Sequence, residues 1–235
     1  MSRKPTPAPC DSAGFTLVEL LVALAAMALL AVMAWRGLDA MARAQEQTRV
    51  HSDDVMALQA GLAQWGTDLD ALTQMPALGG LDFDGRVLRI TRVYRYDGTA
   101  SAAGAAEAGS VRVVAWGAAM VDGKRQWLRW QSGPLRERAE LQAAWQQAAL
   151  WGQNPSDVLR QQQVAVVAVD DWQVYYFRNN AWTNALSTAV GEQSAPASGQ
   201  AALPDGVRLV LTLSGGQTLS GKLTRDWARP AAGKS

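Results

Sequence analysis

The sequence has little of what most metal centres and enzyme sites require. It contains one cysteine, Cys10, and one histidine, His51, in 235 residues. One cysteine excludes an internal disulfide framework and a multi-cysteine zinc or iron–sulfur site, and one histidine excludes a multi-histidine metal centre. An excess of one charge is also missing, because 22 basic residues face 21 acidic ones and the formal net charge is +1. Nucleic-acid-binding proteins usually show a strong basic excess, so we expect no nucleic-acid partner.

What the sequence does contain is a long apolar run near its amino end. Segment 15–35 reads FTLVELLVALAAMALLAVMAW and holds a single charge, Glu19. A helix of that length rises about 30 Å, which matches the hydrocarbon core of a bilayer. A buried core helix is the alternative, but such a helix is rarely apolar on every face. We therefore expect a transmembrane helix over 15–35.

A cleaved secretory signal is a second explanation for the run. Val32-Met33-Ala34 just satisfies the small-residue rule of signal peptidase. The run is, however, longer than the usual apolar region of about 7–15 residues, and Glu19 lies near its start. Charge bias does not settle the orientation, because Arg36 follows the run as Arg3 and Lys4 precede it.

Beyond the run, apolar residues recur at helical spacing. The intervals are three and four residues, at Val55, Leu58, Leu62, Trp65, Leu69 and Leu72. This pattern predicts an amphipathic helix over 36–75 that continues the anchor and is ended near Met75-Pro76 by the proline. His51 falls on the same phase, so we expect a partly covered imidazole at the edge of the stripe and no catalytic role.

From residue 80 onward the apolar period changes from 3.6 to 2, which predicts strands. The candidate strands cover 88–96, 111–121, 125–131, 164–169, 172–177, 207–213 and 219–226. Turns are expected at Asp122-Gly123, Asn179-Asn180 and Ser214-Gly215-Gly216. One helix is expected over 136–151, and flexible loops near 98–110 and 187–202. We predict a single β-rich head over 76–235, in which most of the tryptophans lie in the core.

Candidate active sites in the head have simpler explanations. Asp82-Phe83-Asp84-Gly85 imitates the start of a calcium loop, but the remaining ligands do not follow at EF-hand spacing, so a turn closed by glycine is expected. Asp53-Asp54 and Asp170-Asp171 are adjacent carboxylates that point apart on a helix or strand. The sequence thus gives no positive argument for an enzyme, a bound metal or a cofactor.

The motif Gly14-Phe15-Thr16-Leu17-Val18-Glu19, followed at once by the apolar helix, resembles the cleavage and methylation motif of type IV pilins and type II secretion pseudopilins. The resemblance implies that a prepilin peptidase cuts after Gly14 and methylates the new amino terminus at Phe15. Segment 1–14 would be a leader, and its removal leaves 20 basic and 20 acidic side chains and no cysteine. The implied fold is α+β, a pilin-like lollipop whose long helix carries an antiparallel head in the periplasm from the bacterial inner membrane.

Glu19 is the one residue of this motif with a charged side chain. A carboxylate at the centre of a bilayer helix costs about 2.5–3.5 kcal/mol, and less near the interface, so such residues usually have a partner. The resemblance implies one, the amino terminus of an adjacent subunit, and the pair would favour correct register in assembly. The simpler alternative is a glutamate that reaches to the headgroups.

Within this family the chain most resembles the J-type minor pseudopilin. Three segments carry the likeness: Ala34-Trp35-Arg36-Gly37-Leu38-Asp39 after the anchor, the pair Asp68-Leu69 near the helix end, and Leu203-Pro204-Asp205-Gly206-Val207-Arg208-Leu209 after the aromatic tract 172–182. The resemblance implies a structural subunit of the pseudopilus tip. Its partners would be I- and K-type minor pseudopilins, the major pseudopilin and the prepilin peptidase, with secreted cargo as a further candidate.

Two other functions stay open at this point. A minor pilin of a type IV pilus or competence system would share the anchor, although DNA uptake would favour a basic face that the near-neutral charge does not indicate. An uncleaved membrane-anchored enzyme or binding protein would keep residues 1–14 and would need a convergent pocket.

Overall fold

A computed structural model describes residues 16–75, 79–94, 109–187, 202–215 and 219–230. The chain divides into two compact units, Met1–Val50 and His51–Ser235. The helices are α1 (Leu17–Asp70), α2 (Arg138–Gln153) and α3 (Asp157–Gln161). The strands are β1 (Leu81–Phe83), β2 (Val87–Val93), β3 (Val111–Val121), β4 (Lys124–Gln131), β5 (Gln163–Arg178), β6 (Ala181–Asn184), β7 (Gly206–Leu213) and β8 (Gly221–Ala228). One long amino-terminal helix followed by antiparallel strands confirms the predicted α+β class.

The described part of the first unit is the amino-terminal portion of α1. Every residue from Thr16 to Val50 is exposed, including Leu24 and Trp35. Among the described residues, α1 is the one helix long and apolar enough to cross a membrane, by length and composition. Large apolar side chains such as Leu24 and Trp35 are not buried by the described residues, which suits a helix surrounded by lipid.

In the second unit, the described strands form one antiparallel sheet. Its order is β1-β2-β3-β4-β5-β7-β8, and β6 pairs with β5. The predicted β3–β4 hairpin is confirmed, with Val121 opposite Lys124. Asp122 and Gly123 both have positive φ, as the two-residue hairpin turn requires.

Strands β2, β3 and β4 of the sheet contribute buried residues to cores on both of its faces. On one face, Leu88 of β2 and Trp127 of β4 join Trp65 and Leu69 of α1 in a first core. On the other face, residues of β2, β3 and β4 pack against α2 in a second core. Its strand residues are Val87, Val113, Ala115, Leu128 and Trp130, and its helix residues are Leu141, Ala144, Ala148 and Trp151. Because adjacent residues of a strand point to opposite faces, Val87 belongs to the second core and Leu88 to the first.

The end of α1 differs from the prediction. The helix ends at Asp70, before Met75-Pro76. The chain after Asp70 instead bonds to β2: the Thr73 N–H donates to the carbonyl of Thr91 over 2.9 Å, and the Val93 N–H donates to the carbonyl of Ala71 over 3.1 Å. Pairing with a strand thus satisfies backbone groups that would otherwise have continued the helix.

Two strand predictions also need correction. Segments 164–169 and 172–177 belong to one continuous strand, β5, whose register shifts between Val169 and Asp171 where it pairs with β7. The bulge lets β5 continue through the two aspartates that interrupt its apolar pattern. Strand β1 was not predicted because it is only three residues long.

Other predictions fall on particular side chains and loops. His51 is exposed, so the expected partial cover at the edge of the stripe is wrong. Most of the head's tryptophans are buried, as predicted: Trp116, Trp127, Trp130, Trp151, Trp172 and Trp227, with Trp145 and Trp182 half-buried. The predicted loops 98–110 and 187–202 lie largely outside the described residues.

Candidate functional site

Glu19 lies in the first turn of α1 and is bound by Thr16. Its Oε2 accepts hydrogen bonds from the Thr16 N–H over 3.2 Å and from the Thr16 hydroxyl over 3.1 Å. The Thr16 hydroxyl in turn accepts a bond from the Glu19 N–H over 3.3 Å. This reciprocal arrangement is a capping box, which satisfies donors that the start of a helix leaves free. The spacing Thr-x-x-Glu is its signature, and sequence reasoning could have found it.

The capping box fixes where the Glu19 carboxylate points. A negative charge in the first turn is favoured by the helix dipole, whose positive end lies there. The carboxylate is held at the amino end of the helix, and Phe15 is the next residue before Thr16 in the chain. A cationic amino group that approaches this end would therefore meet an oriented carboxylate, and their attraction would be strong in lipid.

The structure does not describe the proposed cleavage and methylation site. Gly14, Phe15 and the leader segment 1–14 lie outside the described residues. His51 is exposed on α1. In the described ranges, no group of three or more histidine, cysteine, aspartate or glutamate side chains is placed to hold a metal ion.

Sequence reasoning missed the role of Asp68, the most buried carboxylate of the described helix. Asp68 is fully buried on the apolar face of α1. Its Oδ2 accepts bonds from Trp116 Nε1 over 2.9 Å and from Arg129 Nε over 2.8 Å. Its Oδ1 accepts bonds from Arg129 Nη2 over 2.9 Å, Gln64 Nε2 over 2.9 Å and Arg92 Nη1. A buried charge needs such partners, so Asp68 connects α1 to β2, β3 and β4.

Aromatic packing supports this polar cluster. The Trp116 ring stacks on Trp127 with centroids 4.3 Å apart, and the Arg129 guanidinium lies 5.9 Å from the Trp116 ring centroid. Farther along, the Trp227 Nε1 of β8 donates to Asp70 Oδ1 over 2.8 Å. The sequence did contain a signal for a buried charge, because Asp68 lies between Trp65 and Leu69 of the apolar stripe.

Four of the described titratable groups of the head have displaced pKa values, and one of them is Arg208, whose pKa is raised by its hydrogen bond to Asp226. Burial raises the pKa of Tyr176 well above its usual range. Hydrogen bonds from Arg208 lower the pKa of Asp226, and backbone N–H groups of Arg136 and Glu137 lower the pKa of Glu140. Burial, a surface ion pair or a helix cap accounts for each shift, so these shifts give no positive argument for acid–base catalysis.

Comparisons with known proteins bear on the amino end and on the chain as a whole. Residues 10–35 match the family model described as the prokaryotic N-terminal methylation motif. No curated protein matches the chain. Among solved structures, a type IV-like pilin from Thermus thermophilus is similar, with 14% identity, 74% of this chain and 93% of that chain covered, and a TM-score of 0.34. The chain thus carries a prokaryotic methylation motif that coincides with the start of its apolar helix.

Proposed function

We propose that this protein is a minor pseudopilin of the type II secretion system, a structural subunit of the pseudopilus tip complex. The observation that carries this proposal is the coincidence of the methylation motif at residues 10–35 with the apolar start of α1. An antiparallel head follows that helix in the chain. A protein so built has an anchor and surfaces for assembly, and requires no catalytic residue, metal or cofactor.

Processing in this proposal occurs between Gly14 and Phe15. The prepilin peptidase removes segment 1–14 on the cytoplasmic face and methylates Phe15. The head then lies in the periplasm, and 15–35 crosses the inner membrane. Glu19, oriented by Thr16, meets the methylated amino terminus of a neighbouring subunit and sets the register of assembly. Desolvation offsets much of the attraction, so the pair contributes specificity more than stability.

The intact mass of the membrane form tests the processing step. We expect a species that begins at methylated Phe15, 14 residues shorter than the translated chain. A species that begins at Met1 would favour the uncleaved membrane-anchored alternative and would overturn the proposal.

The J-type identity is tested separately. We expect full-length chain in mild detergent to bind the I- and K-type minor pseudopilins, and the genes for these siblings to lie beside a secretion ATPase. Gene neighbours of a pilus or competence system, with correct processing, would instead support a minor pilin. The processing test and the J-type test can fail independently, because leader removal is expected in a secretion system and in a pilus system alike.

A further inference from the structure

We draw no further inference here: the strongest candidate, the apolar cavity of about 260 Å³ between the start of α2 and the start of β3 that Met75, Val111, Leu135 and Leu141 line, carries none because nothing in the structure shows what covers it.

Discussion

At the scale of single residues, two carboxylates of α1 differ in what surrounds them. Glu19 is exposed at the start of the helix, and its hydrogen bonds within the described residues are with Thr16. Asp68 is fully buried and is held by two arginines, a tryptophan and a glutamine. Exposure leaves Glu19 able to meet a partner from another chain, whereas burial commits Asp68 to the fold of the head.

Glu19→Leu is expected to leave membrane insertion and leader removal intact and to weaken assembly. The substitution removes the oriented charge but keeps an apolar side chain that suits the bilayer. Insertion and cleavage are measured by intact mass of the membrane fraction, and assembly by cross-linking to sibling subunits and by secretion. Glu46→Gln, at an exposed position of the same helix, serves as the control. Normal assembly and secretion in Glu19→Leu would refute the role of this residue.

Asp68→Asn is expected to destabilise the head by about 3–5 kcal/mol, since it leaves two largely buried guanidinium groups without their counter-charge. The midpoint of chemical unfolding, followed by tryptophan fluorescence, measures the loss. Asp157→Asn changes an exposed aspartate on α3 and should shift the midpoint little. Equal midpoints for the two variants would mean that the Asp68 cluster contributes nothing to stability.

At the scale of elements, α1 reaches the sheet closely enough to require a glycine. A Cβ added to Gly61 would lie 2.2 Å from Val166 Cγ1 and 3.3 Å from Trp127 Cζ3. On the same helix, a Cβ added to Gly66 would have no neighbour within 4 Å. The two glycines share a helical conformation and differ in the space around them.

Gly61→Ala and Gly66→Ala should therefore have opposite effects on unfolding free energy. Alanine is a better helix former than glycine, so Gly66→Ala should stabilise by up to about 1 kcal/mol. Gly61→Ala should instead destabilise by about 1–3 kcal/mol because of the overlap with Val166. The double variant Gly61→Ala/Val166→Ala should recover part of the loss. A stabilising Gly61→Ala would show that α1 does not pack against β5 in this way.

The β7–β8 hairpin carries an ion pair on its surface. Arg208 Nε and Nη2 each donate to Asp226 over 2.7 Å, and the guanidinium lies 4.2 Å from the Trp182 ring centroid. These hydrogen bonds lower the pKa of Asp226 in the folded state. The contribution to stability is thus present above the unfolded pKa, about 3.9, and is lost as pH falls through the lower folded pKa.

Arg208→Gln is accordingly expected to lower the thermal midpoint more at pH 7 than near pH 2, where only the contact with Trp182 is lost. Comparison with Arg225→Gln, an exposed arginine on β8, removes the general effect of a lost positive charge. A difference between the two variants that is the same at both pH values would contradict the proposed link to Asp226.

At the scale of the whole molecule, the proposed assembly depends on removal of the leader. Gly14→Ala should be tolerated because the side chain stays small, whereas Gly14→Trp should leave segment 1–14 attached. Intact mass distinguishes the two forms. Leader removal in Gly14→Trp would contradict the assignment of this bond to the prepilin peptidase.

Much of the architecture followed from local patterns in the sequence. The apolar run predicted the start of α1, the 3–4 spacing predicted its buried face, and Asp122-Gly123 predicted a hairpin whose turn has the expected positive φ values. These features are set by residues close together in the chain, so composition and spacing suffice to find them.

The tertiary structure alone decided where α1 stops and what Asp68 does. The helix ends at Asp70 because β2, about twenty residues later, supplies partners for the following backbone. Asp68 accepts hydrogen bonds from Arg92, Trp116 and Arg129, which lie 24, 48 and 61 residues away in the chain. No local sequence pattern indicates these partners. The sequence determined which segments are apolar and at what period, whereas the burial of a charge and the end of a helix depended on long-range contacts made only when the sheet forms.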